Sequence, residues 1–310
     1  MHSSADAISP AVEKFEVRDT AGIREHYQSQ GFVVLRKLIE HAVIYDFITQ
    51  YERIKRSGTF IFYSQSIHRA IRPDLNEHGF IRESMLNPSR LGLFPGFSGA
   101  IKRCLYHEAV SAALCALDGH DRHVSWQDMF FDLSTGTIDH ADTWYLDTEP
   151  AGSVVGAWIA LENIANQAGT FFVVPRSHRV APLSREVHRD HDAFRKATLQ
   201  FVADHGFRRQ AMPLDKGDVI LWHPFLVHGA FSNVDPRLSR KSLTSHFFPY
   251  DMKRRGSTTT PLRATANPRI FRLRHANDSL LNLLMYAKFA KDVLRGRGAK
   301  MDMRRKSYAN

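Results

Sequence analysis

The chain has 310 residues, 43% hydrophobic and 24% charged, ordinary proportions for a globular protein long enough to bury a core without disulfides. It holds no run of eighteen apolar residues, which excludes a membrane-spanning helix, and residues 1–16 lack the basic and apolar regions of a secretory signal, so the expected location is cytoplasmic. The net charge of +10 is uneven: residues 251–310 carry fifteen Lys/Arg against four Asp/Glu, and the remaining 250 sum to −1. A basic segment suits nucleic acid, anionic lipid or an acidic substrate, but a solvated face is the plainer reading.

In chain order, the spacing predicts a short helix over about Asp19–Gln30 and a β-rich run at Gly31–Leu35. A second helix follows over about Glu40–Lys55, with Val43, Ile44, Phe47 and Ile48 on one side. Residues 57–97 lack periodicity and read as long loops, which in compact domains are usually functional. Gly99–Leu117 reads as one helix carrying both cysteines, Cys104 and Cys115. Eleven residues separate them, roughly 16 Å along a helix axis, so both are expected to be buried thiols, not a disulfide.

From about His123 the texture becomes β-rich. Val124–Leu133, Val154–Ile164, Thr170–Pro175, Asp218–His223 and Lys241–Phe248 are short β-branched and aromatic runs set off by turn residues, the pattern of a sandwich or barrel. Leu183–His205 interrupts them as a charged, helix-compatible insertion. After Pro249 comes a Ser/Thr/Pro-containing linker, then an amphipathic helix over about Asp278–Arg295. The expected class is α+β: one domain over residues 1–310, with a β core at about 123–250 and a basic, helical segment at 251–310.

Two His-x-Asp spacings occur. His188-Arg189-Asp190 falls in a predicted helix, Ser184–Phe194, where residues two apart point nearly opposite ways. His140-Ala141-Asp142 follows a strand and a turn, where two-residue spacing aims imidazole and carboxylate at one point. Two histidines and one carboxylate on one face of an octahedron leave three positions open, as in non-haem iron(II) oxygenases. A second histidine from a later strand would complete the set. His223, His228 and His246 are candidates, and His228 is favoured because Gly229 lets another group approach closely. The alternative is that His140 and His228 are hydrogen-bonded core histidines. Arg240, at the head of a strand, is the residue type suited to pair with a cosubstrate carboxylate in an apolar barrel, although a lone Arg there is ordinarily a surface charge.

In order and spacing, these residues resemble the phytanoyl-CoA dioxygenase family. The resemblance runs from His140-Ala141-Asp142 through Ala157–Glu162, Gly169–His178 and Lys216–Val219 to His223–Gly229 and Arg240-Lys241. It implies a double-stranded β-helix (jelly-roll) core with flanking N-terminal helices and a C-terminal helix. It also implies iron(II) held by His140, Asp142 and His228, with 2-oxoglutarate and O2 as cosubstrates. Arg240 would pair with the distal carboxylate of 2-oxoglutarate, and Trp158 and Met129 would line its pocket. The chemistry implied is hydroxylation of an unactivated C–H bond with release of succinate and CO2. The carboxylate of Asp142 favours hydroxylation, because related halogenases carry a small residue there. Two departures stand out: Asn166-Gln167-Ala168-Gly169 replaces the usual Asn-Gly, and Ala230-Phe231 stands where small polar residues are common.

Two other readings compete. A cupin-like metalloenzyme would keep the histidines without needing Arg240 or 2-oxoglutarate. A non-catalytic module using the basic tail would bind nucleic acid in a salt-dependent way, but Leu280, Leu281, Leu283, Leu284 and Met285 fit a packing or homodimer helix better. The substrate is expected to be a small molecule, with the basic segment mildly favouring an anion through Arg254, Arg255, Arg263 and Arg269. It is expected to be chosen by loops at 57–97, 143–150 and 180–210, with Trp144 and Tyr145 as candidate contacts.

Overall fold

Strand β1 (Phe32–Leu35) shows how the core is partitioned: Val33 and Leu35 point to one side, Phe32 and Val34 to the other, and all four are buried. Alternate side chains of a strand face opposite ways, so a strand apolar throughout must be covered on both faces. The computed structural model describes residues 12–180, 190–257 and 261–274, and, near the C-terminus, 282–285, 287, 290, 291 and 294.

Four helices precede the β-rich half: α1 (Thr20–Gln30), α2 (His41–Arg56), α3 (Pro95–Leu105) and α4 (Glu108–Asp118). Between α2 and α3 lie the short strands β2 (Phe62–Tyr63), β3 (Ala70–Ile71) and β4 (Met85–Leu86). Next come β5 (His123–Phe131), β6 (Thr148–Glu149), β7 (Val155–Ala160), β8 (Phe171–Val173), α5 (His191–Asp204), β9 (Gln210–Ala211), β10 (Val219–Trp222), β11 (His228–Ala230) and β12 (Ser242–Pro249). Strands β13 (Lys253–Arg254), β14 (Leu262–Ala264) and β15 (Ile270–Leu273) follow.

The large sheet runs β1-β10-β7-β12-β5-β15-β14, with β4 also on β5, and a smaller sheet runs β11-β8-β9. These are the two sheets of the jelly roll. One face of the large sheet, through Val155, Ala157, Ile159, Val219 and Leu221, packs on α1–α4 in the main core. The opposite face, through Trp158, Ile220 and Trp222, meets Phe171 and Val173 of the small sheet. The space between the sheets receives the inward residues of β5, β7, β10 and β12.

Asp19 caps α1 by accepting from the Gly22 N–H at 3.0 Å, and Gly31 ends it at φ +86°, a left-handed turn that favours glycine. The stretch expected as one helix at Gly99–Leu117 is two. The chain breaks at Tyr106-His107, and the ring Nδ1 of His107 caps α4 by accepting from Ala109 N–H at 3.2 Å. Cys104 and Cys115 therefore lie on different helices, both free, with Cys104 buried and Cys115 only half-buried.

The segment after Pro249 is more than a linker to a helix. β13 pairs with β6, and β15 joins the large sheet parallel to β5. The expected C-terminal helix falls largely outside the described residues, though 282–285 are helical. Asn282 there accepts from Gly92 N–H at 2.9 Å and Met285 is buried in the main core, while Leu283 and Leu284 are exposed. Leu280 and Leu281 lie outside the described residues. No helix among the described residues is long and apolar enough to cross a membrane.

Candidate metal centre

His140 and Asp142 sit in the connection from β5 to β6, which runs beside β11. His140 N–H donates to His228 O at 3.0 Å and His228 N–H to His140 O at 2.9 Å. Ala141 between them is extended, at φ −116° and ψ 139°, so His140 and Asp142 project to the same side. Asp142 then opens a 3-10 turn, Asp142–Trp144, instead of continuing a strand. His140, Asp142 and His228 bring one ligand atom each to within 4.8 Å of one another.

The remaining polar atoms of these side chains are held. His140 Nδ1 is 2.9 Å from Ile138 O and His228 Nδ1 is 2.9 Å from Leu226 O. With Nδ1–H donating to a carbonyl, each ring turns its Nε2 lone pair inward, the usual support for a metal-bound imidazole. Those Nε2 atoms stand 3.7 and 3.6 Å from Asp142 Oδ1. The other oxygen, Oδ2, accepts from the indole Nε1–H of Trp222 at 2.8 Å. His246 Nε2 is 3.2 Å from Oδ2, out of line for a good hydrogen bond.

Burial alone would push the Asp142 carboxyl up, but His228, His246 and His140 around it hold it well below the usual carboxylate range. Burial pushes His228 down to about 4, against the opposing pull of Asp142. A carboxylate beside a neutral imidazole is the protonation a divalent cation requires.

The cavity over these groups is lined by Met129, Phe131, Trp158, Thr244, Arg240 and Gln65. Arg240 is 2% exposed. Its guanidinium lies 5.0 Å from the centre of the Phe131 ring and 5.7 Å from that of Trp158. Its Nε has no hydrogen-bond partner among the described residues, and neither has the indole Nε1 of Trp158. Burial lowers Arg240 to about 10, with Glu162 opposing. A desolvated cation held by ring faces and lacking a carboxylate contact in its own cavity fits an anionic ligand.

Of the three candidate histidines, the structure brings His228 and His246 to Asp142 and sends His223 elsewhere, beside His178 with ring centroids 5.4 Å apart. Trp144 and Tyr145 are not among the residues lining the cavity. Trp144 stacks on Phe194 of α5 at 5.4 Å, and Tyr145 meets the His140 ring edge-on at 5.8 Å while its hydroxyl lies 2.8 Å from His191 Nε2. None of Arg254, Arg255, Arg263 and Arg269 lines the cavity. Arg255 donates to Thr143 O at 3.0 Å and Arg269 is 3.3 Å from Asp121. Asp190 is the N-cap of α5, not part of a helix interior, and His188 lies outside the described residues. Trp222, Gly156 and Gln65 escaped the sequence reading. The signal available for Trp222 was chemical: a tryptophan ending a fully buried strand needs a partner for its N–H.

The sequence model for phytanoyl-CoA dioxygenase matches residues 27–242. The chain belongs to the phytanoyl-CoA dioxygenase family. That family comprises iron- and 2-oxoglutarate-dependent oxygenases. Peroxisomal phytanoyl-CoA dioxygenase of Bos taurus is 24% identical over 231 residues, covering 72% of this chain and 67% of that protein. Phytanoyl-CoA dioxygenase domain-containing protein 1 of the same species is 30% identical over 154 residues, covering 47% of this chain and 52% of its own length. Among solved structures, the 2-oxoglutarate-dependent epimerase SnoN from nogalamycin biosynthesis aligns with a TM-score of 0.58 at 18% identity, covering 83% of this chain and 99% of that one. The apo form of EctD from S. alaskensis aligns at 0.54 and 18% identity, covering 87% and 91%. These likenesses are of fold.

Proposed function

We propose that this family member is a hydroxylase acting on an unactivated C–H bond of a small molecule, with iron(II) held by His140, Asp142 and His228. Arg240 pairs with the distal carboxylate of 2-oxoglutarate, and Met129 and Trp158 flank that cosubstrate. Iron(II), 2-oxoglutarate and O2 supply the oxidising chemistry, the oxoacid leaving as succinate and CO2. The residues 1–310 act as one oxygenase domain, placed in the cytoplasm.

The observation that carries this reading is Arg240: a buried guanidinium without a carboxylate contact among the described residues, in the cavity that also receives the three ligand atoms. Isolated buried charges are costly, and a dicarboxylate reaching from the metal to Arg240 offsets that cost. His140 and His228 present Nε2 because their Nδ1 atoms are engaged by backbone carbonyls. Asp142 supplies the negative charge that a divalent cation needs. Phe131, Trp158 and Phe171 give the cavity an apolar, aromatic lining. Tyr145, edge-on to His140 at 5.8 Å, and Trp144 behind it connect the site to α5, and we assign them to the substrate-facing rim.

The test is anaerobic. Iron(II) and 2-oxoglutarate are added to the apoprotein, and the visible metal-to-ligand charge-transfer band is sought. The band should appear in wild type and be absent in His140→Ala and Arg240→Ala. Tight iron binding without a band in wild type would instead favour the cupin-like reading.

A further inference from the structure

We infer that Trp222 is a positioning residue for the metal: its indole N–H holds the outer oxygen of Asp142, so that the carboxylate offers the iron one oxygen and not two. This rests on the reading of His140, Asp142 and His228 as ligands.

Three observations carry it. Asp142 Oδ1 faces both ligand imidazoles at 3.7 and 3.6 Å, whereas Oδ2 accepts the Trp222 Nε1–H at 2.8 Å. The two oxygens are thus divided between metal side and protein side. The indole is itself fixed: Trp222 is 1% exposed, with ring centroids 5.0 Å from His228 and 5.9 Å, edge-on, from His246. Finally, the neighbouring strand is shaped for it. A Cβ on Gly156 would lie 2.1 Å from Trp222 Cε2, and Gly156 is paired with Trp222 in the β10–β7 register. Glycine weakens a strand interior, and here it gives the indole its place.

The coordination chemistry explains why one oxygen matters. Two imidazoles and one carboxylate oxygen on one face would leave open positions on a bound iron for the oxoacid and O2. A carboxylate binding through both oxygens would fill one of them. The Trp222 N–H engages the second oxygen, and His246 Nε2 stands 3.2 Å from the same oxygen. Phenylalanine at 222 would keep an aromatic ring in this space while removing the donor together with part of the indole's volume.

The experiment loads wild type and Trp222→Phe anaerobically with cobalt(II), then with iron(II), and measures affinity by chelator competition together with the cobalt d–d spectrum. Removing an outer partner of a metal ligand typically costs about 10- to 100-fold in affinity. We expect a loss in that range for Trp222→Phe, with a changed cobalt spectrum as the second oxygen enters the coordination shell. A variant matching wild type within about twofold, with an unchanged spectrum, overturns the inference while leaving the metal reading intact. Wild type that binds neither metal overturns both.

Should Trp222→Phe fail to fold, wild type labelled with 15N-tryptophan decides the matter. The indole N–H cross-peak most shifted by cobalt must then be protected from exchange with D2O. Rapid exchange of that peak overturns the inference.

Discussion

His140 and His228 exchange both of their backbone hydrogen bonds, at 3.0 and 2.9 Å, so the two imidazoles of the triad are set by sheet-type pairing. Their relative placement follows from the connection from β5 being laid along β11. With the two rings set by backbone pairing, metal binding at this site should be a local event. Iron(II) addition is expected to leave the far-UV circular dichroism unchanged. His228→Ala should keep that spectrum while losing more affinity than the roughly 10- to 100-fold typical of outer-partner changes. A large spectral change on loading wild type would contradict a preformed pair.

Arg240→Met should separate stability from function. The guanidinium is buried without a carboxylate contact among the described residues, and replacing an ill-compensated buried charge by an apolar side chain of similar length is often stabilising, by roughly 1–3 kcal/mol. The variant should melt higher than wild type without 2-oxoglutarate. Losing one partner of a buried ion pair costs about 2 kcal/mol or more, so its 2-oxoglutarate Kd should rise at least about 30-fold. Scanning calorimetry and titration calorimetry measure the two effects. A lower melting temperature would mean that Arg240 already has compensation in the apoprotein.

Gly156→Ala should destabilise the fold by about 1–3 kcal/mol, the usual cost of overpacking a core, because the added Cβ lies 2.1 Å from the Trp222 indole. Combining it with Trp222→Phe should recover much of that loss, since the smaller ring vacates the contested space. Denaturant unfolding of both single variants and the double variant checks this. Simple additivity would show that the close approach is relieved in some other way.

Stability should fall in mild acid. Burial pushes His223 down to about 4 from its ordinary 6.5, and the nearby His178 adds to the effect. The unfolded chain therefore takes up a proton that the folded chain resists. The contribution is complete above pH 6.5 and is lost as pH falls from there through 4, amounting to about 3 kcal/mol at most. Urea unfolding at pH 7 and pH 4.5 should show a shallower pH dependence for His223→Gln than for wild type. Equal slopes would place His223 in contact with water.

The parts of this molecule legible in the sequence are those that a local pattern determines. β10 is apolar at every position because both its faces are covered, and α1 announces itself through Asp19 and Gly31. The break between α3 and α4 was hidden because His107 caps by its ring nitrogen, whereas helix starts are usually signalled by Ser, Thr, Asp or Asn. β14 and β15 were hidden by their arginines, Arg263 and Arg272, which alternate with smaller or apolar residues on strands that are not fully buried. At the site, His140-Ala141-Asp142 was readable because one extended residue aligns its neighbours, although Asp142 opens a 3-10 turn. The fit of Trp222 against Gly156 was not readable, since it exists only once β10 and β7 pair.

The parallel pairing of β15 with β5 gives the basic C-terminal segment an architectural role. Residues 270–272 occupy the flank of β5 at His123–Ser125, so a chain ended at Pro249 would leave that flank of the sheet with unpaired N–H and C=O groups, the kind of edge that recruits other chains. Arg263 lies on β14, the outermost strand on that side, where positive charge discourages a further strand from adding. Shortening the protein from its C-terminus should therefore show first as self-association, well before any loss of the metal site.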